Sequence, residues 1–143
     1  MIVSVCHTKG GVGKSALATQ LAVIAARAGR QTLLIDADSQ PTTSLFAAAR
    51  REAGIDDGGR LTTVQIRGRT AHQEIRALAA KHDLVVVDVG GRDSPTLRSV
   101  LIATDVAVIP LAARGPELWA LDDLALVLDE VRSVHPGMRA VAV

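Results

Sequence analysis

Two periodicities alternate along this chain. Short runs of aliphatic residues, IVSVC (2–6), QTLLIDAD (31–38), LVVVDV (84–89), VAVIP (106–110) and RAVAV (139–143), read as strands. Between them apolar residues recur at three- and four-residue spacing, which predicts helices over 14–28, 41–53, 71–82 and 117–134. DSPTLRSVLIATD predicts another helix, with Ser94 as N-cap and Pro95 at its first position. Gly29 is placed to end the first helix and Pro41 to begin the second. Residues 54–69, GIDDGGRLTTVQIRGR, carry loop signals and at most a short edge strand at 61–66.

The run Leu84 to Val89 is too continuous for a strand with one wet face, so both faces should be covered. Strands alternating with helices then imply an α/β fold, a mostly parallel sheet with helices on both faces. With 143 residues, no repeat and no linker, residues 1–143 are expected to form a single domain. The last strand has no following helix to cover it, from which we expect the domain to lack its C-terminal part.

Composition narrows the classes. Phe46 and Trp119 are the only aromatics, so the core must be built from small aliphatic side chains. Cys6 is the single cysteine, which rules out a disulfide framework and a cysteine-rich metal site and leaves a small buried hydrophobe. No apolar run approaches the ~20 residues of a membrane span, and MIVSVC does not open like a signal peptide. A cytoplasmic location is expected. The net charge of +1 offers no electrostatic footprint for nucleic acid or an anionic membrane surface. Of the 16 lysines and arginines only three are lysine, and two of those lie in TKGGVGKS, residues 8–15.

That stretch joins a predicted strand to a predicted helix. Binding phosphate there requires backbone N–H groups aimed into a small concavity at a helix N-terminus, and glycines permit the approach. Gly10, Gly11 and Gly13 supply that freedom, with Val12, Lys14, Ser15 and Ala16 completing the cradle. The common pattern G-x-x-x-x-G-K-[ST] fits Gly13, Lys14 and Ser15 but meets Thr8 where the first glycine belongs. The variant K-G-G-x-G-K-[ST] replaces it, with Lys9 as an added cation. By its mechanics Lys14 reaches the β- and γ-phosphates and Ser15 holds Mg²⁺.

KGGVGKS resembles the signature loop of the ParA/MinD group of deviant Walker A ATPases, and the likeness extends over essentially the whole chain. LLIDADSQPTTSL is similar to that family's D-x-D-P-Q motif, with Ser39 in place of proline; DLVVVDVGG resembles its Walker B strand, and ATDVAVIPL the strand after it. The resemblance implies a P-loop NTPase fold with ATP and Mg²⁺ as ligands. Residue by residue, it implies that Lys14 binds phosphate, Ser15 ligates Mg²⁺, Asp36 orients the metal's shell, Asp38 positions the attacking water and Asp88 acts on the metal through water. Each acid alone also reads as a helix cap or a solvated loop residue. Three acids at two strand ends beside a glycine loop are harder to explain that way, because open parallel sheets bind ligands outside the carboxyl ends of their strands. Gly90 and Gly91 stand where the family often has proline, which suggests a freer loop able to sense the γ-phosphate. Asp93 reads equally as a participant there or as a helix cap.

In this family the lysine matching Lys9 reaches the partner subunit's phosphates when two ATP-loaded monomers meet. The resemblance therefore implies a homodimer formed on Mg·ATP and slow hydrolysis by the monomer. Partition of plasmid or chromosome DNA follows as the expected process, through nonspecific DNA binding, a ParB-like centromere-binding partner and nucleoid association. The alternative is a MinD-like or other cargo-positioning ATPase at a membrane; one cysteine argues against the iron-protein branch. Arg50, Arg51 and Arg67 to Arg69 are candidate DNA-phosphate contacts, with solvated loop charge the commoner role. Trp119 reads as helix packing or an interface, His7 as support for the loop, and His72, His82 and His135 as isolated surface residues.

Overall fold

The computed structural model describes residues 1–91, 94–111 and 117–143, without the side chains of 117–121. Among these residues six strands alternate with five helices: β1 Ile2–Val5, α1 Lys14–Arg27, β2 Thr32–Ala37, α2 Thr42–Glu52, β3 Leu61–Gln65, α3 Ala71–Ala79, β4 Leu84–Val89, α4 Pro95–Ala103, β5 Val106–Ile109, α5 Glu117–Val134 and β6 Arg139–Ala142. They form one sheet of order β3-β2-β4-β1-β5-β6. Every pairing in it is parallel. The expected α/β architecture is present, and the weakly patterned segment 61–65 does form an edge strand.

Alternation along the strands divides the core. Leu33, Ile35, Val85, Val87 and Val89 meet Ile75, Leu97, Leu101, Leu124 and Val127 on one face. Leu34, Leu84, Val86, Val3 and Val5 meet Ala18, Ala22 and Ala25 of α1 on the other. Those alanines, at positions i, i+4 and i+7, let α1 lie close on the sheet. Thus a core almost without aromatics closes both faces of β4, all six of whose residues are buried.

Local chemistry sets the ends. Gly29, at φ 88°, closes α1 as a Schellman motif, its N–H bonding the Ala26 carbonyl while the Arg30 N–H bonds that of Ala25. Ser94 Oγ accepts from the Leu97 N–H at 3.1 Å, capping α4 as expected. The sequence pattern carries α3 to residue 82, but it ends at Ala79. There the His82 imidazole binds the Leu78 carbonyl at 2.9 Å and the Asp83 N–H bonds Gln31 O, so the chain turns into β4.

Candidate functional site

Three loops leave the carboxyl ends of the adjacent strands β2, β4 and β1 and enclose one cleft of about 1020 Å³. Its walls include Gly10, Gly11, Gly13, Lys14, Ser15 and Ala16 from the loop after β1; Asp38, Ser39 and Gln40 after β2; and Gly90 and Gly91 after β4. The sheet's register sets Asp36 beside Asp88, and Asp88 beside Val5, where the glycine loop departs. Sheet order therefore brings together residues more than 70 positions apart in sequence.

Gly13 begins α1 at φ 89° with no side-chain cap. The first N–H groups of α1 are left without a capping side chain, which suits an anion. Lys14 is 6% exposed, and its Nζ donates to the Lys9 carbonyl at 2.8 Å. Burial pushes the Lys14 ammonium below its ordinary pKa, while Asp88 and Asp38 oppose the shift. The fully buried His7 accepts the Lys9 N–H on Nδ1 at 3.0 Å, the loop-supporting place expected of it. Lys9 itself is exposed and, with the half-buried Val12, does not line the cleft.

The acids differ in their surroundings. Asp38 is half-buried; its Oδ1 accepts from Gln40 N–H at 3.0 Å and Ser39 Oγ at 3.3 Å, folding the loop over itself. Asp36 is fully buried and works from behind: Oδ1 accepts the Asp38 N–H, and Oδ2 accepts both the N–H and hydroxyl of Ser44, at 2.9 and 2.6 Å. Pro41 offers α2 no side-chain cap, so this carboxylate from a neighbouring strand caps it. Asp88 is also fully buried; Oδ2 accepts the Thr43 hydroxyl at 2.6 Å, and Oδ1 has no hydrogen-bond partner among the described residues. Burial pushes its carboxyl above the usual range, against the pull of the Thr43 and Ser15 hydroxyls.

Gly90 and Gly91 are packed where a side chain would intrude. A Cβ on Gly91 would come within 3.1 Å of Gly10 N, Lys14 Nζ and Lys9 C; one on Gly90 would stand 3.1 Å from Asp38 Oδ1. Gly91 thus lets the loop after β4 lie close to the phosphate loop, and Gly90 lets it lie close to Asp38 after β2.

Sequence reasoning missed Thr43 and Ser44, which hold the two buried acids: Ser44 lies 8 residues after Asp36, but Thr43 lies 45 residues before Asp88, a pairing that no local signal marks. It also took Arg67 for a loop charge, whereas Arg67 lines the cleft. The three outlying histidines are not simple surface residues: all are half-buried, with ring contacts from His72 to Ser99 Oγ, His82 to Leu78 O and His135 to Thr104 O. Arg50 pairs with Asp57 at 2.6 Å and lies over the Phe46 ring, so it is committed within the fold. Asp93 and the Trp119 side chain lie outside the described residues.

Among the described residues no three His, Cys, Asp or Glu side chains group as a metal site. Mg²⁺ needs none: it keeps several waters and takes one or two protein oxygens beside substrate phosphates. The unpartnered Asp88 Oδ1 and the Ser15 hydroxyl fit that requirement.

A parallel sheet whose first strand runs through a glycine loop into a helix, with acids at the neighbouring strand ends, defines a P-loop NTPase fold. Residues 3–110 match the CobQ/CobB/MinD/ParA nucleotide binding domain, and the chain belongs to that family. It is 27% identical to the chromosome-partitioning ATPase Soj of Thermus thermophilus, over 99% of this chain and 67% of that protein. It is 34% identical to the maintenance of carboxysome distribution protein A of Gloeobacter kilaueensis, over 95% of this chain and 58% of that protein. The chain thus spans 58% to 67% of the length of these curated relatives. The fold recurs in cobyrinic acid a,c-diamide synthase of Mycobacterium smegmatis, solved with bound ADP and magnesium, with TM-score 0.82 and 17% identity over 99% of this chain and 73% of that one. No described helix is long and apolar enough to cross a membrane.

Proposed function

We propose that this domain binds ATP with Mg²⁺ in the cleft, pairs with a second copy in that state and hydrolyses the nucleotide slowly. The observation that carries the reading is the convergence of the α1 N-terminus, Lys14, Ser15 and Asp38 on one cleft, with Asp88 buried beside it. The N–H groups of Gly10 to Ala16 and the Lys14 ammonium hold the phosphates, the ammonium leaving the Lys9 carbonyl to do so. The Ser15 hydroxyl would hold Mg²⁺, with Asp88 acting on it through water and Asp36 orienting that arrangement from behind. The chemistry that a bound metal would supply there is neutralisation of phosphate charge. Asp38, at the lip, positions the attacking water by accepting its hydrogen bond. Lys9 stands exposed outside the cleft, a place suited to serving the phosphates of a facing subunit.

The process we assign is plasmid or chromosome partition in the cytoplasm, with nonspecific DNA bound by the ATP dimer and a ParB-like partner stimulating release. Relatedness to Soj supports it. A second reading, the spacing of a protein cargo, has the support of the 34% identity to a carboxysome-distribution protein.

Light scattering with and without Mg·ATP, on the wild type and Lys9→Ala, tests the switch. We expect a dimer only with ATP and none in Lys9→Ala; a dimer formed equally without nucleotide overturns it. Asp38→Ala should dimerise with ATP yet cease turnover, and turnover at the wild-type rate removes Asp38 from its role. Retention of nonspecific DNA in the ATP state alone supports partition over an ATPase that works at a membrane.

A further inference from the structure

We propose that Arg67 is a substrate-positioning residue, an in-chain cation that binds the terminal phosphate of the nucleotide from the far end of the cleft. The assignment rests on reading the cleft as a nucleotide site.

Arg67 follows β3, the edge strand, and Lys14 follows β1, three places along in the sheet. At about 4.8 Å per strand, the two residues start roughly 14 Å apart along the strand ends. Arg67 spans part of that gap, since its guanidinium reaches within 4.0 Å of Asp36 Oδ1 on the next strand and lines the same cleft as the phosphate loop.

Asp36 does not need this arginine. Its oxygens already accept three hydrogen bonds, from the Asp38 and Ser44 N–H groups and the Ser44 hydroxyl. The 4.0 Å approach is a charge contact beyond hydrogen-bond range. Among the described residues the guanidinium makes no hydrogen bond, and its side chain is 39% exposed. Five donors in a planar fork therefore face a cleft built for phosphate, held near it by a buried negative charge. That fork matches a phosphate's oxygens two at a time, as an ammonium cannot.

The segment carrying Arg67 is also fastened. Gly68, at φ 100°, turns the chain immediately after it, and the Gly68 N–H donates to Thr96 Oγ1 at 2.9 Å. Ser99 Oγ donates to the Arg69 carbonyl and accepts the His72 N–H, both at 3.0 Å. Thr96 and Ser99 belong to α4, the helix entered from the Gly90–Gly91 loop, and Thr96 lines the cleft as well. The segment that carries Arg67 is thus tied to α4 at two points. The neighbouring Arg69 is exposed and does not line the cleft, which makes it the natural control.

The test is nucleotide affinity of the full chain, at a concentration where light scattering shows a monomer, with a nonhydrolysable ATP analogue and with ADP, each with Mg²⁺. Arg67→Ala should weaken the analogue about ten- to a hundred-fold, the loss of a charge-assisted hydrogen bond or pair, and leave ADP unchanged. Arg67→Lys should recover part of the loss and Arg69→Ala none should show. Equal losses for both nucleotides, no loss, or a loss confined to dimer formation would overturn the assignment. So would a fall in nucleotide-free melting temperature that accounts for the whole effect. Lys14→Ala, checked for folding by its melt, should lose both nucleotides; if it binds both, the nucleotide reading fails and Arg67 falls with it.

Discussion

The Thr43 hydroxyl donates to Asp88 Oδ2 at 2.6 Å, both residues are fully buried, and the other carboxylate oxygen has no hydrogen-bond partner among the described residues. One residue at the start of α2 therefore fixes the orientation of an acid on β4. Thr43→Val keeps the shape and removes the donor. It should cost about 1.5–3 kcal/mol in urea unfolding, the value of a hydrogen bond to a charged group. The Mg²⁺ concentration needed for nucleotide binding should rise about ten-fold or more, as when an outer partner of a metal-directed group is lost. Unchanged Mg²⁺ dependence would limit Thr43 to stability.

Asp88 also sets a pH dependence. Its pKa is raised by burial above the ordinary 3.8, so the folded state holds the proton more tightly than the unfolded chain does. That favours folding below 3.8, and the advantage is lost as pH rises through the folded-state value. Above that value the buried charge is a standing cost. Asp88→Asn should therefore be more stable than the wild type at neutral pH, with the gap shrinking as acid is added, while hydrolysis disappears. Melting curves from neutral pH down towards 4 measure it, and a gap that widens in acid contradicts the sign.

Gly91→Ala tests the packing of the two loops. Its Cβ would meet Gly10 N and Lys9 C at 3.1 Å, and these backbone atoms cannot swing aside as a side-chain end can. The substitution should cost about 1–3 kcal/mol, the usual range for overpacking. It should also weaken nucleotide binding, because the displaced atoms belong to the phosphate loop. Isothermal titration and thermal melts on one sample separate the two effects.

Cys6 is fully buried, and burial pushes its thiol up to about 12. At neutral pH it carries almost no thiolate, the form that reacts. Iodoacetamide should leave the native chain unmodified and label it stoichiometrically in urea. Rapid labelling of the native chain would mean that β1 opens readily.

The strands, all five helices among the described residues and the phosphate loop were legible in the sequence because each depends on near neighbours. Periodicity marks α1 and β4, Ser94 and Pro95 mark the start of α4, and the glycines with Lys14 and Ser15 mark the anion site at α1. The end of α3 was misplaced because periodicity does not show where a chain turns: beyond Ala79 the His82 ring binds the Leu78 carbonyl and the Asp83 N–H bonds Gln31 O, some 50 residues away in sequence.

By itself the sequence determined an α/β domain with a phosphate loop and acids at the ends of two strands, all features written in residue type and spacing. Only the tertiary structure decided what those acids do there. Parallel order put Asp36 and Asp88 side by side, let α2 reach back to both through Ser44 and Thr43, and carried Arg67 from an edge loop into the cleft. The reason is physical: a hydrogen bond or charge contact acts over a few ångströms of space, and chain order sets that distance only for residues within a turn or two of each other.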